Sequence, residues 1–413
     1  MKNFSDLWLH NNLLKALEQQ WYHEPTPIQA QAIPVILSGK DVFGCAQTWT
    51  GKTAAFSLPI LQLLAEQTQQ TSKIRTIRAL IVTPTRELAL QISENIKDYA
   101  SNTNLRQTAV FGGVSQFHQV KTLNRGVDVL IATPGRLLDL VQQKLINLHD
   151  VQTLVLDEAD RMLDMWFIHD IRKIASYLPH ERQNLFFSAT MSGAIMKLAN
   201  TILQDPVTIE VSPNSSTVDT IDQHLYTVAK QDKKQLLLYM LQDTSVKTAI
   251  VFSKTKHGAN NLEKLLKQSG ISSTAIHGNK SQAARQKALN DIKHGKVRVL
   301  VATDVAARGI DIDLLSHVII YDVPLEAESY VHRIGRTGRA QATGQAMMLC
   351  TPDECKYLQQ VVKLIWRDIP LVKDHPYHHE FSLKPTGHKA TRSTSRRAKS
   401  KHYRNKGRTK TPH

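Results

Sequence analysis

Short apolar runs rich in β-branched residues alternate along this 413-residue chain with longer segments of helical character. Near-continuous Val, Ile and Leu runs separated by helices are typical of parallel strands that are buried on both faces. The alternation therefore predicts the α/β fold class. The predicted strands lie within residues 41–47, 79–85, 127–134, 153–159 and 184–190 of the first half, and 247–253, 272–278, 297–304, 316–324 and 344–350 of the second.

A polar stretch separates the two sets of predicted strands. Residues 212–219, Ser-Pro-Asn-Ser-Ser-Thr-Val-Asp, have the composition of a linker. The length of 413 residues also suits more than one domain, because a domain typically holds roughly 100–200 residues. We therefore predict two α/β domains, residues 1–209 and 220–370, joined by a linker over 210–219 and followed by a tail over 371–413.

Positive charge is concentrated at the C-terminal end. The chain carries 52 Lys and Arg against 36 Asp and Glu, a formal net charge of +16. Residues 384–413 hold eleven of the basic residues and no acidic one, so the rest of the chain is nearly balanced. Such a tail is typical of nucleic-acid binding, and its low apolar content predicts disorder in the free protein. The alternative is a solvated tail that only improves solubility.

Composition also disfavours several classes of protein. The chain has no run of about 18 apolar residues, so we predict no membrane association. Residues 1–6 are polar and lack the apolar segment of a signal peptide, which predicts a cytoplasmic protein. Cys45, Cys350 and Cys355 are too few for a disulfide framework and form no Cys-x-x-Cys pair. Three histidines near the C-terminal end could ligate a metal: His375, His378 and His379. We favour the interpretation that they lie in an exposed linker.

The first polar motif at a strand end has the form of a phosphate-binding loop. Residues 46–53, Ala-Gln-Thr-Trp-Thr-Gly-Lys-Thr, follow a predicted strand and open a predicted helix. In such a loop the backbone N–H groups cradle phosphates, Lys52 reaches the β- and γ-phosphates, and Thr53 ligates Mg²⁺. A plain surface turn is the alternative, and the strand–loop–helix context argues against it.

An acidic motif follows another predicted strand. Asp157-Glu158-Ala159-Asp160 comes directly after Leu-Val-Leu. One carboxylate can hold Mg²⁺ while its neighbour orients or deprotonates the attacking water. Two acids at this place could instead cap the next helix. The combination with Gly51-Lys52-Thr53 favours a nucleotide-hydrolysing site in which Asp157 and Glu158 act together.

A basic motif lies in the second predicted domain. Residues 332–339 read His-Arg-Ile-Gly-Arg-Thr-Gly-Arg, with arginines three residues apart. Arginines that complete a nucleotide site across a domain cleft are arginine fingers, and they couple domain closure to turnover. We assign this role to Arg336 and Arg339, with His332 beside them. A solvated basic helix face is the alternative.

Together these motifs resemble those of the DEAD-box RNA helicases, and the similarity extends over nearly all of both predicted domains. Further matches to the family are Pro84-Thr85-Arg86-Glu87-Leu88, Gly112-Gly113, Thr133-Pro134-Gly135-Arg136, Ser188-Ala189-Thr190, Val251-Phe252, Gln282 with Arg285, and residues 302–311. The stretches over residues 255–260 and 277–282 look most like the bacterial RhlE-type subgroup. The resemblance implies two tandem RecA-like domains, ATP and Mg²⁺ as cofactors, RNA as the partner and a monomeric enzyme.

The family also implies a role for each matching residue. The catalytic residues would be Lys52, Asp157, Glu158, His332, Arg336 and Arg339, with Thr53 and Asp157 on the metal. The nucleotide would be bound by Phe4, Tyr22, Gln29, Thr48, Gly51, Lys52, Thr53 and Asp311. RNA would be contacted by Arg86, Gly113, Thr133, Arg136, Arg285 and Thr303, and Ser188 and Thr190 would couple hydrolysis to strand separation.

Loop N–H groups, Thr hydroxyls and Arg side chains contact phosphates and 2′-hydroxyls rather than base edges. The motifs therefore predict RNA binding that is independent of sequence, and no aromatic-rich stacking platform is evident. We expect a helicase that melts short duplexes or remodels RNA–protein complexes. Two alternatives stay open: an RNA-binding protein whose ATPase is impaired, and a DNA helicase of the same superfamily.

All five tryptophans fall where the family pattern leads us to expect glycine: Trp8, Trp21, Trp49, Trp166 and Trp366. Trp21 and Trp366 each end a predicted helix, where a left-handed residue is usually glycine. Trp49 lies in a loop whose backbone must approach phosphate closely. Either these residues are real substitutions, or one codon has been read as Trp where the source organism inserts Gly. The coincidence at every tryptophan favours the systematic exchange, and a real Trp49 would weaken ATP binding.

Overall fold

The computed structural model describes residues 3–47, 50–68, 75–211, 221–307, 315–338 and 344–383. Within these ranges no helix is long and apolar enough to cross a membrane. The described residues form two parallel seven-stranded sheets, one in each half of the chain. Helices flank both sheets, so the predicted α/β class and the two tandem domains are confirmed.

The first domain begins with a short 3₁₀ helix, Phe4–Leu7, and orders its strands β3-β4-β2-β5-β6-β1-β7. The strands are β1 Val42–Ala46, β2 Ala79–Val82, β3 Gln107–Val110, β4 Val129–Ala132, β5 Thr153–Leu156, β6 Gln183–Ser188 and β7 Val207–Val211. The helices are α1 Asn11–Gln19, α2 Pro27–Leu37, α3 Lys52–Thr68, α4 Arg86–Tyr99, α5 Gln116–Leu123, α6 Pro134–Gln142, α7 Ala159–Asp164, α8 Ile168–Ser176 and α9 Gly193–Ala199.

The second domain repeats the topology, with its strands in the order β10-β11-β9-β12-β13-β8-β14. The strands are β8 Ile221–Thr227, β9 Ala249–Phe252, β10 Ser273–Ile276, β11 Val299–Ala302, β12 His317–Ile320, β13 Gly344–Cys350 and β14 Leu371–Val372. The helices are α10 Lys233–Gln242, α11 Lys256–Gln268, α12 Gln282–Lys293, α13 Asp304–Ala307, α14 Ala327–Ile334 and α15 Cys355–Ile365, with a 3₁₀ turn at Pro352–Glu354.

The ten strands predicted from apolar runs are all present, and most of their residues are buried. In β2, β4, β5, β9, β11 and β12 every residue is buried. Four strands were missed: β3, β7, β8 and β14. Their side chains alternate between buried and exposed, or are only half-buried, so they lack a continuous apolar run.

Two predicted domain boundaries are wrong. Strand β7 pairs with β1 as far as Val211, so the first domain extends past residue 209. Residues 371–383, predicted to begin the tail, pack on the second domain. There β14 pairs with β8, the His379 N–H donates to the Thr227 carbonyl at 3.1 Å, and the Gln359 amide donates to the Leu383 carbonyl at 2.8 Å. The predicted linker core, 212–219, and the basic segment, 384–413, lie outside the described residues.

Candidate functional site

The phosphate-binding loop joins β1 to α3, as the motif predicted. Gly51 has a φ of 89°, in the region that favours glycine, and Lys52 is the first residue of α3. Lys52 is buried, and its Nζ donates to the Ala46 carbonyl at 2.8 Å. The lysine is therefore folded back over the loop, at the place where a phosphate would compete for its ammonium group. Thr48 and Trp49 lie outside the described residues.

Gln29 links helix α2 to this loop. Its Oε1 accepts from the Thr26 backbone N–H at 2.9 Å and its Nε2 donates to the Gly51 carbonyl at 3.1 Å. A Cβ at position 51 would collide with the Gln29 amide, so this glycine is required by close contact as well as by φ. Gln29 thus touches the loop directly.

The two aromatic residues predicted to contact the nucleotide differ in exposure. The Tyr22 ring is 43% exposed and lies 6.2 Å from the ring of buried Tyr99. Phe4 is only 4% exposed and packs in the core with Leu7 and Leu13. The assignment of Phe4 to the nucleotide site is therefore corrected, because its ring is enclosed by the core of the first domain.

The acidic motif follows β5 and is deeply buried. Burial raises the pKa of the Asp157 carboxyl and Glu158 adds to the rise, while the Lys52 ammonium opposes it. Glu158 has a φ of 55°, and its Oε2 accepts from Arg161 Nη1 at 2.6 Å. Arg161, missed from the sequence, pairs with Glu158 one helical turn away. The available signal in the sequence was an Arg three residues after Glu158, a spacing that allows an ion pair.

A hydrogen bond joins the acidic motif to the Ser-Ala-Thr motif at the end of β6. Asp160 Oδ2 accepts from the Ala189 backbone N–H at 3.1 Å. The Thr190 N–H donates to Ser188 Oγ at 3.2 Å, and Ser188 is fully buried. Ala189, which lies between the predicted coupling residues Ser188 and Thr190, therefore makes the contact with the acidic motif.

The three arginines of the basic motif have different surroundings. Arg333 forms a bidentate pair with Asp304, at 2.6 and 2.7 Å, and its guanidinium lies 5.2 Å from the centre of the Phe252 ring. Arg336 is buried, and its Nε donates to the His332 carbonyl at 3.3 Å. Arg333 is thus a structural residue, whereas Arg339 and Asp311 lie outside the described residues.

The four predicted RNA contacts of the first domain lie near the N-termini of α4, α5 and α6. Arg86 packs on Gly113. Glycine is favoured at this position because φ is 77° and because a Cβ would collide with the Arg86 guanidinium. Arg136 donates to the Val114 carbonyl at 3.1 Å and to Gln119 Oε1 at 3.0 Å. Thr133 is the N-cap residue of α6. These residues combine positive charge with helix N-termini, which is a favourable surface for phosphate.

A buried ion pair joins the two domains. Glu87 Oε1 accepts from Arg285 Nε at 2.9 Å and from the Gln282 amide at 3.1 Å. Burial and the nearby Arg285 charge both lower the pKa of Arg86. Arg285, predicted to contact RNA, therefore holds the domains together.

Thr303 is buried at the start of α13, and its carbonyl accepts from Ala307 N–H at 2.9 Å.

The second domain has a lysine at the place where the first has Lys52, the lysine predicted to bind phosphate. Strands β1 and β8 hold the same place in their sheets, and Lys52 and Lys233 each begin the helix that follows. Lys233 Nζ, however, pairs with Glu354 Oε2 at 2.8 Å and Asp322 Oδ1 at 3.4 Å. Carboxylates of the protein itself thus neutralise Lys233, which favours the first domain as the nucleotide site.

The four tryptophans in the described ranges all have positive φ. The angles are 57° at Trp8, 60° at Trp21, 63° at Trp166 and 52° at Trp366. Their side chains are 65–90% exposed. A bulky residue in the left-handed region is uncommon, and an exposed indole gains no packing there. This backbone geometry supports the prediction that these positions suit glycine.

The histidine group near residue 375 is not an exposed linker. His375 is 9% exposed, and its ring lies 5.5 Å from the Tyr226 ring and 5.7 Å from the His378 ring. Neither nitrogen of His375 has a hydrogen-bond partner within the described residues. In the part of the chain that the structure describes, no three His, Cys, Asp or Glu side chains form a metal-binding group.

Comparison with protein families gives two matches. Residues 26–198 match the family DEAD/DEAH box helicase, and residues 232–341 match the helicase conserved C-terminal domain. The DEAD-box ATP-dependent RNA helicase RhpA of Helicobacter pylori is 43% identical over 369 residues, which cover 89% of this chain and 74% of that protein. CshA of Bacillus subtilis, described in the same words, is 42% identical over 371 residues, which cover 90% of this chain and 74% of that protein.

Solved structures show the same architecture. Dbp5 of Saccharomyces cerevisiae, bound to RNA and ADP BeF3, superposes with a TM-score of 0.80 at 31% identity, over 90% of this chain and 96% of that one. The DEAD-box helicase Mss116, bound to ssRNA and UDP-BeF, gives a TM-score of 0.82 at 28% identity, over 90% of this chain and 79% of that one.

Proposed function

The chain belongs to the DEAD-box family of ATP-dependent RNA helicases and is an RNA-dependent ATPase; from this premise we propose that it hydrolyses ATP in the cleft between its domains and thereby separates short RNA duplexes or remodels RNA–protein complexes. The observation that carries the proposal is the buried contact of Glu87 with Arg285 and Gln282. It places the second domain beside Arg86 and Gly113, so an RNA strand on the first domain would also meet the second.

The residues of the first domain fit ATP with Mg²⁺. The Asp157 carboxylate and the Thr53 hydroxyl offer hard oxygen atoms, the ligand type that Mg²⁺ prefers. When bound, Mg²⁺ neutralises charge that develops on the phosphates. Lys52 would leave the Ala46 carbonyl to meet the phosphates, and Gly51 would offer its N–H group. Gln29 would read the adenine edge, and Tyr22 would stack on the base.

Hydrolysis requires the two domains to act together. Glu158 would position the attacking water after releasing Arg161, which holds its carboxylate at 2.6 Å. Arg336 and Arg339 would supply the arginine fingers from the second domain. Because Asp160 accepts from Ala189 N–H, a shift of the acidic motif would move the Ser-Ala-Thr segment. We assign coupling of hydrolysis to strand separation to Ser188 and Thr190 on this basis.

RNA binding would use backbone contacts and the basic segment 384–413. Arg86, Gly113, Thr133 and Arg136 would take phosphates and 2′-hydroxyls, with Thr303 across the cleft. The basic segment would add affinity that falls with salt. If about four of its residues engage at once, deleting it should flatten the salt slope for single strands by roughly 3. An unchanged slope would leave the segment a solubilising role only.

Phosphate release with and without RNA is the direct test. Single-stranded RNA of one defined sequence should stimulate the ATPase strongly, and single-stranded DNA of the same sequence should not. Equal stimulation by both would favour a DNA helicase, and no stimulation would favour an RNA-binding protein with an impaired site. If Trp49 causes the impairment, Trp49→Gly should raise kcat/KM for ATP at least about tenfold, because a loop position that requires glycine costs another residue of order 1–3 kcal/mol in backbone strain.

A further inference from the structure

The outward face of α5 carries an exposed aromatic ring close to a lysine. Phe117 is 65% exposed, and Lys121, one turn later on the same face, is exposed as well. His118 lies beside Phe117 at a ring distance of 5.4 Å. Helix α5 contains no acidic residue. The fold thus leaves a large apolar ring in water on a surface that suits a polyanion.

Contacts within the first domain hold this face next to the predicted RNA surface. Gln119 is buried; its amide donates to the Phe111 carbonyl at 3.1 Å, and its Oε1 accepts from Arg136. Phe117 is two residues earlier and therefore roughly 200° away around the helix, facing out. Ser115 caps the helix by accepting from the Phe117 N–H at 3.3 Å. The ring is thus in the first turn, close to Gly113.

Resting on the function proposed above, we propose that Phe117 stacks on a nucleobase of the bound RNA strand while Lys121 contacts a neighbouring phosphate. A stacked base would cover the exposed ring, and every base has a face that can stack, so the contact adds affinity without sequence preference. The charges of Lys121 and Arg136 favour RNA over an apolar protein partner. The contact would extend the RNA interface beyond the loops that bind the backbone.

The test compares Phe117→Ala with Phe117→Tyr, which keeps the ring. Affinity for fluorescein-labelled single-stranded RNA should fall about 5- to 150-fold in the alanine variant and stay near wild type in the tyrosine variant. The matched control is Tyr177→Ala, at an exposed aromatic residue that directly follows α8, and this change should leave affinity unchanged. Because Phe117 is exposed, all variants should keep the wild-type melting temperature and basal ATPase.

Two further measurements separate stacking from general attraction. RNAs that carry 2-aminopurine at successive positions should show quenched fluorescence at one position with wild type and with Phe117→Tyr, and not with Phe117→Ala. An abasic nucleotide there should remove the difference between wild type and Phe117→Ala. Lys121→Ala should flatten the salt slope by about 0.7, whereas Phe117→Ala should leave the slope unchanged.

The outcomes distinguish this inference from the proposed function. If Arg136→Ala weakens RNA binding but Phe117→Ala does not, the stacking inference is overturned while the helicase function stands. A face of α5 used for a protein partner would give that same result. If wild type shows neither RNA affinity nor RNA-stimulated ATPase, the proposed function fails first.

Discussion

At the scale of single residues, the buried pair of Glu158 and Arg161 is central to the hydrolysis step that we propose. The carboxylate of Glu158 is almost fully enclosed and is held by Arg161 at 2.6 Å. In this arrangement the Glu158 carboxylate is held in place, but its Oε2 is occupied by the hydrogen bond from Arg161. Release from Arg161 on ATP binding would make the carboxylate available to water, so this pair offers a residue-level link between binding and hydrolysis.

Glu158→Gln should bind ATP and RNA almost normally but turn over about 10²–10⁴ times more slowly, because it lacks a general base. The amide keeps the size of the side chain and can still accept from Arg161. Single-turnover phosphate release, with fluorescent-nucleotide binding alongside, measures both quantities. Glu94→Gln, at an exposed position of α4, is the matched control. Wild-type turnover in Glu158→Gln would contradict the assigned role.

The tryptophans at positive φ allow a second residue-scale prediction. Trp366 ends α15 with a φ of 52° and is 90% exposed, so its indole gains little from the fold. Trp366→Gly should raise the free energy of unfolding by about 1 kcal/mol, since the left-handed region costs a non-glycine residue roughly 1–2 kcal/mol. Urea unfolding measures the change. Trp366→Ala retains the Cβ and should show no such gain; equal gains in both variants would contradict strain as the cause.

At the scale of elements, residues 371–383 belong to the second domain although the sequence predicted them to be part of the tail. They add the short strand β14 to the second sheet and place His375 against Tyr226 and His378. Their polar composition resembles that of a linker, and their position depends on β8 and α15. The basic segment therefore follows directly on residues that pack against the second domain.

Docking of this segment should weaken as the pH falls. Burial lowers the pKa of His375 below its usual 6.5, His378 lowers it further, and Asp374 opposes the shift. Because the pKa of His375 is lower in the folded state than in the unfolded state, its contribution to stability is fully present above the unfolded-state pKa of about 6.5. That contribution is lost as the pH falls toward the folded-state pKa. Urea unfolding at pH 7.5 and 5.5 should show a larger loss for wild type than for His375→Phe. Identical losses would contradict the role of His375.

At the scale of the whole molecule, the two domains are joined by charges that are far apart in sequence. Glu87 is the second residue of α4 in the first domain, and Arg285 lies in α12 of the second domain. Glu87 Oε1 and Arg285 Nε are 2.9 Å apart in a buried contact. Removing one partner of a buried pair typically costs about 3–5 kcal/mol, because the other charge stays buried and unpaired. The closed arrangement of the domains should therefore be sensitive to either residue.

Glu87→Gln and Arg285→Gln should each shift the domains toward an open arrangement and lower RNA-stimulated ATPase. Nucleotide binding by the first domain should be retained, because neither residue touches the phosphate-binding loop. Single-molecule energy transfer between labels on α1 and α11 reports the closed fraction. The double variant should cost little more than either single variant, since both remove the same contact. Fully additive effects would show that the two residues act independently.

Local sequence patterns were sufficient for the sheets and for the motifs at strand ends. A strand buried on both faces must be apolar throughout, so its residues identify it without knowledge of its neighbours. Gly51-Lys52-Thr53 and Asp157-Glu158 are each contiguous, and each follows such a strand, so their meeting at one edge of the sheet could be predicted. The glycine-like character of Trp21 and Trp366 was predictable because φ at a helix end is a local property, whereas that of Trp8 and Trp166 was expected from the resemblance to the family.

Only the tertiary structure decided which charged groups are partners and which residues are enclosed. Arg285 and Arg333 looked like anion-binding arginines, yet one pairs with Glu87 and the other with Asp304. Phe4 looked like a ligand contact and is core, and Lys233 gives no sequence signal of its pairing with Glu354. The physical reason is that burial and ion pairing depend on distances between segments remote in the chain. Residue type and local spacing carry no information about those distances until the sheets and the two domains are assembled.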